Sequence, residues 1–295
     1  MEKRKYGNTD MEVSVLGFGG SEIRGSGQQT VDRLLGSAVD AGLNLIDTAE
    51  CYGDSEELIG KALGSRRSDY YLFTKCGHSA GLEYPDWDLA MLEKSIDRSL
   101  KRLQTDYVDM IHLHSCREEV LRDGGVIEVL QRAKEAGKTR YIGYSGDRKD
   151  ALYAVQTGVF DSLQISVNIA DQEAIDLTLG EAVKRNIGVT AKRPIANAAW
   201  MSESVDESDY SYIYWKRLRE LTYGFLADPQ KAVGTALRFT LSTPGVHTAI
   251  VGTTKPERWQ QNAALLSGGA LPAEQYEEIR SLWRSMAGAD WVGQT

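Results

Sequence analysis

The chain has 295 residues, 42% hydrophobic and 26% charged, enough apolar material for a sizeable core, which excludes the disordered and fibrous classes. The 34 Lys and Arg against 42 Asp and Glu leave a net charge of −8, and no long basic run tracks a phosphate backbone. A nucleic-acid partner is therefore not expected.

The opening residues, MEKRKYGNTDMEVSVLG, lack the apolar run of a signal peptide, and no stretch of about 18 apolar residues occurs to span a bilayer. The expectation is a cytoplasmic protein with no membrane partner. Residues 3 to 15 pair KRKYG with MEVSV around Asn8, Thr9 and Asp10, which predicts a β-hairpin closing one end of the fold. Eight strands are expected along the chain, at 13 to 19, 43 to 47, 70 to 75, 107 to 114, 140 to 145, 162 to 168, 188 to 192 and 248 to 252. Helical segments with apolar residues at three- and four-residue spacing lie between them, such as DLAMLEKSIDRSLKRL, VIEVLQRAKEAGK and QKAVGTALRFTLS. Alternating strands and helices predict a parallel sheet, and eight units close most simply into a (β/α)8 TIM barrel, because closure leaves no unpaired edge. No linker or low-complexity tract divides the chain, so residues 1 to 295 read as a single domain. An extended loop after strand seven, 195 to 227, carries Trp200, Tyr210, Tyr212, Tyr214, Trp215, Tyr223 and Phe225, and loops of that length tend to be lids. The tail from Leu271 to Thr295 is expected to form one helix and a loose end bearing Trp291.

Barrel enzymes place chemistry at the C-terminal ends of the strands. Three otherwise apolar strands end in polar residues there: LNLID in Asp47, YLFTK in Lys75 and MIHLH in His114. Tyr52 follows on the loop after Asp47. Together these side chains suit carbonyl reduction, in which a proton must reach the oxygen as hydride adds to the carbon. The phenol donates the proton, Lys75 lowers its pKa, Asp47 holds Lys75, and His114 orients the carbonyl by a hydrogen bond.

On these segments, IDTAECYG, LFTKC and YVDMIHLHS, the sequence resembles the aldo-keto reductase family, whose barrel carries an Asp, Tyr, Lys and His tetrad. The resemblance runs from about Arg4 to Ser267. It implies that IGYSG with Ser145 and LQISVN with Gln164 and Asn168 contact a nicotinamide carboxamide. It also implies that IVGTTKPERWQQN supplies cofactor-phosphate contacts through Gly252, Thr253, Thr254, Lys255, Arg258, Gln261 and Asn262. Arg258 matches the position that meets an adenosine 2′-phosphate, which implies NADPH/NADP in preference to NADH, and a small carbonyl substrate. There are departures. Lys192, with Arg193 beside it, stands where many members stack an aromatic ring on the nicotinamide, and these two are also assigned to the cofactor site. Gly146 replaces a common Asn, Gly252 a common Lys and Ser115 a common Trp.

Other readings of the same residues stay in view. Asp47 suits a helix cap, and Lys75 a solvated strand end. The run GFGGSE resembles a dinucleotide fingerprint but has Glu22 at the third glycine, so Gly19 and Gly20 read as a close backbone approach to the cofactor. His112 and His114 invite a metal-dependent barrel hydrolase. Only His78 and His247 remain to complete such a site, so no metal is assigned, and His112 is expected one layer below His114. Cys51, Cys76 and Cys116 lack metal or disulfide spacing and read as reduced thiols, with a redox-sensitive site as the alternative. A cofactor-binding regulatory subunit with slow turnover is the remaining functional alternative.

Overall fold

The computed structural model describes residues 1–294; Thr295, the last residue of the expected tail, lies outside them. Two short strands, β1 (Lys3–Lys5) and β2 (Glu12–Ser14), form the antiparallel hairpin expected at the start. Eight parallel strands follow: β3 (Leu16–Gly19), β4 (Leu45–Asp47), β5 (Tyr71–Cys76), β6 (Val108–His114), β7 (Thr139–Ser145), β8 (Ser162–Ser166), β9 (Gly188–Lys192) and β10 (Thr248–Val251). They close into a barrel in which β10 pairs with both β3 and β9. The (β/α)8 architecture is as the periodicity predicts. The segment expected as one first strand is two, because Val15 lies between β2 and β3 and separates hairpin from barrel.

The helices between the strands cover the barrel with apolar stripes. In Leu89–Leu103 the buried residues Met91, Leu92, Ser95, Ile96, Ser99 and Leu103 recur at three- and four-residue intervals, and the Asp88 carboxylate caps the start by accepting from the Met91 N–H at 2.9 Å. Burying each large aliphatic side chain contributes about 1.5–3 kcal/mol. The hairpin plugs the bottom. Tyr6 is fully buried there among Met11, Val13, Leu45, Phe73, Met110 and Ile250, and its hydroxyl shares hydrogen bonds with Ser162 Oγ and Thr190 Oγ1, both at 2.7 Å.

A second apolar cluster lies outside the barrel. It joins the helices Tyr212–Leu221 and Ala273–Met286 through Tyr214, Leu218, Leu221, Ile279 and Trp283. The end of the tail is not loose. Trp291 packs on Trp283 with ring centroids 5.0 Å apart, and the backbone of residues 292 to 294 is held by Arg217, Arg148, Glu173 and Asp171. Sequence periodicity carries no sign of this, because the bonds run to the tail's main chain. At the opposite rim from the hairpin, strand register sets Gly19 beside Asp47, His114 beside Ser145, Ser145 beside Gln164 and Ser166 beside Lys192.

Candidate active site

That rim opens into a cavity of about 830 Å³. Its lining includes Gly19, Gly20, Asp47, Tyr52, His114, Ser145, Gln164, Lys192, Arg193 and Gly252, residues from seven strands or the loops after them. Lys75 is not itself in the lining but lies behind Asp47, 1% exposed, and donates to Asp47 Oδ2 at 2.6 Å and to the Thr48 carbonyl at 2.7 Å. The second oxygen of Asp47 accepts from Gln164 Nε2 at 2.8 Å, and Gln164 Oε1 accepts from Ser145 Oγ at 3.0 Å. Asp47 is therefore an ion-pair partner and not a helix cap, and Lys75 is not a solvated strand end.

Burial opposes charge on both Lys75 and Asp47, but their contact, with the nearby Tyr52, holds the Lys75 ammonium above its ordinary range. We take the pair as ionised, since Asp47 accepts from two donors. The Lys75 Nζ lies 4.9 Å from the centroid of the Tyr52 ring, and the edge of that ring meets His114 at 5.8 Å between centroids. Burial raises the Tyr52 phenol above its usual value, and Lys75 pulls it partly back. His114 is held well below the usual imidazole range by burial and by Lys75, so its ring is neutral at pH 7. His112 is displaced in the same way, to about 3. Its Nε2 is engaged with Ser162 Oγ at 2.9 Å, one layer down, as expected.

The departures have local causes. A Cβ at position 146 would stand 2.5 Å from Tyr144 Oη, which donates to the Cys116 carbonyl, so an Asn there has no room. A Cβ at 252 would stand 2.5 Å from Glu22 Cγ and 3.0 Å from the Gly19 carbonyl oxygen, so a side chain there would require the exposed Glu22 to move. Lys192 is paired with Asp147 at 2.8 Å. Arg193, at φ 56°, donates to Ser166 Oγ and to the Gln294 carbonyl, and lies 4.5 Å from the centroid of Tyr210. Of the aromatic connection, Tyr210 lines the cavity with Asp209 and Ser211; Trp200, Trp215 and Phe225 instead pack on the outer cluster. Trp291 is not in the lining.

Asn168 is buried and absent from the lining, with its side-chain oxygen accepting from the Ala170 N–H and its Nδ2 without a partner among the described residues. Thr253, Thr254, Lys255, Arg258, Gln261 and Asn262 also lie outside the lining, on the loop and helix that follow Gly252. Arg258 is exposed and makes no ion pair among the described residues. Sequence reading missed Arg24, Asp209 and Ser211 in the lining, and Glu50 and His78 beside His114. Only Glu50 carried a signal, its place within IDTAECYG. The three cysteines are free. Burial pushes Cys51 and Cys116 up to about 12 and Cys76 well above its ordinary value, so none is an activated thiolate.

The sequence profile described as the Aldo/keto reductase family matches residues 15–284. The chain belongs to that family. It is 29% identical to an uncharacterized oxidoreductase, YqkF, of Bacillus subtilis, over 95% of this chain and 96% of that one. L-galactose dehydrogenase of Arabidopsis thaliana is likewise 29% identical, over 99% of this chain and 97% of that one. Among solved structures, the holo form of the aldo-keto reductase AKR11C1 from Bacillus halodurans superposes with a TM-score of 0.85 at 26% identity, covering 99% of both chains. The protein is thus an oxidoreductase of the aldo/keto reductase family, which acts on small carbonyl compounds with nicotinamide cofactors. Among the described residues no helix is long and apolar enough to cross a membrane.

Proposed function

We propose that this chain, acting as one cytoplasmic domain, reduces an aldehyde or ketone with NADPH, or runs the reverse oxidation, and that Tyr52 is the proton donor. The observation that carries the reading is the convergence of Tyr52, His114 and the buried Lys75–Asp47 pair on one cavity. The lining suits a dinucleotide. Gly20 has no room for a side chain, since a Cβ would stand 2.8 Å from Ser55 Oγ and 3.0 Å from the Asp47 carbonyl, so backbone forms the wall there. Ser145 and Gln164, already linked, offer donor and acceptor atoms to a carboxamide.

When bound, the reduced nicotinamide supplies the hydride. His114, neutral, has one ring N–H with which to hold the carbonyl oxygen. Tyr52, protonated at neutral pH, donates its hydroxyl proton to the oxygen as negative charge develops there. The Lys75 ammonium stabilises the phenolate left behind, and Asp47 and the Thr48 carbonyl keep Lys75 in place. Lys192 and Arg193 are held by Asp147, Ser166 and the tail at the position where other members stack a ring, which supports a polar wall on that side.

The test is a panel of aldehydes, ketones and sugars assayed with NADPH and NADH. Turnover with NADPH exceeding that with NADH is the expected result. Tight NADPH binding with no turnover on any carbonyl would overturn the reductase reading in favour of a cofactor-sensing subunit. A metal-dependent hydrolase built on His112 and His114 is disfavoured by the engagement of His112 with Ser162.

A further inference from the structure

Carbonyl reduction leaves one cluster beside the reacting groups unused. Glu50, Cys51 and His114 each bring a donor atom within 4.8 Å of the other two. Cys51 Sγ lies 3.5 Å from His114 Nδ1. In a tetrahedral zinc site, with Zn–S of about 2.3 Å and Zn–N of about 2.0–2.1 Å, sulfur and nitrogen sit about 3.6 Å apart. These two atoms already have that spacing.

Glu50 supplies a second and independent observation. It is 1% exposed; its Oε1 accepts from the His78 N–H at 2.9 Å, while its Oε2 is buried with no partner among the described residues. A buried carboxylate oxygen left unpaired is costly, and a cation in the cluster would satisfy it. The donor set of thiolate, imidazole and carboxylate is that of zinc and related late divalent ions, and is a poor match for magnesium or calcium, which take oxygen alone. Cys51 and His114 are both partly exposed, and His114 lines the cavity, so an ion has a path in from the mouth.

We propose that Glu50, Cys51 and His114 form an inhibitory site for a zinc-class divalent cation at the barrel mouth. On binding, the Cys51 S–H bond breaks, its proton passes to solvent and a sulfur–metal bond forms. His114 gives its Nδ1 lone pair and Glu50 a carboxylate oxygen, and nothing is oxidised or reduced. A fourth position stays open to water. The ion ties the His114 ring to Cys51 and Glu50, so the ring no longer turns to follow the carbonyl oxygen and turnover falls. The inhibitory effect rests on the reductase reading above, whereas the binding site does not.

The test therefore has two arms, both on the full chain. In the first, zinc or cobalt is added without substrate. Wild type should retain one zinc per chain after dialysis and show a thiolate-to-cobalt absorption band with cobalt. Both should be lost in Cys51→Ser and weakened in Glu50→Gln; Cys76 and Cys116, buried elsewhere, do not substitute. No retained zinc, or equal retention and the same band in Cys51→Ser, would overturn the site. In the second, zinc should inhibit NADPH-dependent reduction reversibly with EDTA. Measured against its own zinc-free rate, Cys51→Ser should lose zinc sensitivity by about tenfold or more, the scale on which perturbed metal sites weaken. An active wild type whose rate is untouched by bound zinc would overturn the inhibitory role. A chain with no reductase activity would fail the functional proposal and leave the first arm standing.

Discussion

Tyr52 keeps its proton at neutral pH, as any phenol does, and burial raises it further than Lys75 lowers it. That balance gives each residue a separable test. Tyr52→Phe removes the donor and leaves the cavity wall in place, so kcat should fall by about 10²- to 10⁴-fold while NADPH titration changes little. A wild-type rate on a good aldehyde would reject Tyr52 as the donor. Lys75→Met leaves burial unopposed, so the pKa governing the acid step should move up. Proton donation by the phenol becomes harder without the cation, so kcat for reduction should fall and the pH–rate profile should shift to higher pH. A pH–rate profile that does not move, in a folded variant, would show that Lys75 does not act on the phenol. Of these residues, Asp47, Lys75 and His114 were legible because each ends an apolar strand. Glu50 and His78 were not, because their relation to His114 exists only across strands.

At the scale of elements, the segment after β10 and the connection after β9 behave differently. The helix Arg258–Ala264 is anchored by fully buried Trp259 and by buried Asn262, which leaves Arg258 exposed and free of ion pairs among the described residues. Its guanidinium suits a 2′-phosphate. Arg258→Ala should weaken NADPH binding about ten- to a hundredfold, the scale of one charge-assisted contact, and leave NADH nearly unchanged. Parallel losses for both cofactors would sink the NADP-specific role. The connection after β9 was legible as an extra, aromatic-rich loop and no further. Arg193, Ala196, Asn197 and Ala198 all take positive φ there without being glycine, a backbone held by its surroundings and not by local preference. Hence Tyr210 reaches the cavity while Trp200 and Trp215 do not.

For the whole molecule, the burial of Asp171 couples stability to pH. Asp171 accepts from the Gln294 N–H and from Tyr214 Oη, and burial together with Asp147 raises its carboxyl from an ordinary 3.8 to about 7. A raised acid favours folding fully below its unfolded pKa and loses that contribution as pH rises through the folded value. The denaturation midpoint should therefore fall between about pH 4 and pH 7 from this group, and Asp171→Asn should flatten that stretch. An unaltered pH dependence in the variant would rule Asp171 out as its source. The sequence by itself determined the barrel, its hairpin plug and the rim that carries polar strand ends, because strand and helix periods and side-chain alternation are local properties of the chain. Tertiary structure alone decided the rest: the glycine at 146, where the buried Tyr144 leaves no room for a side chain; the tail seated by main-chain bonds; and the meeting of Glu50, Cys51 and His114. Each depends on distances between segments that no period along the chain encodes, and barrel closure is what sets them.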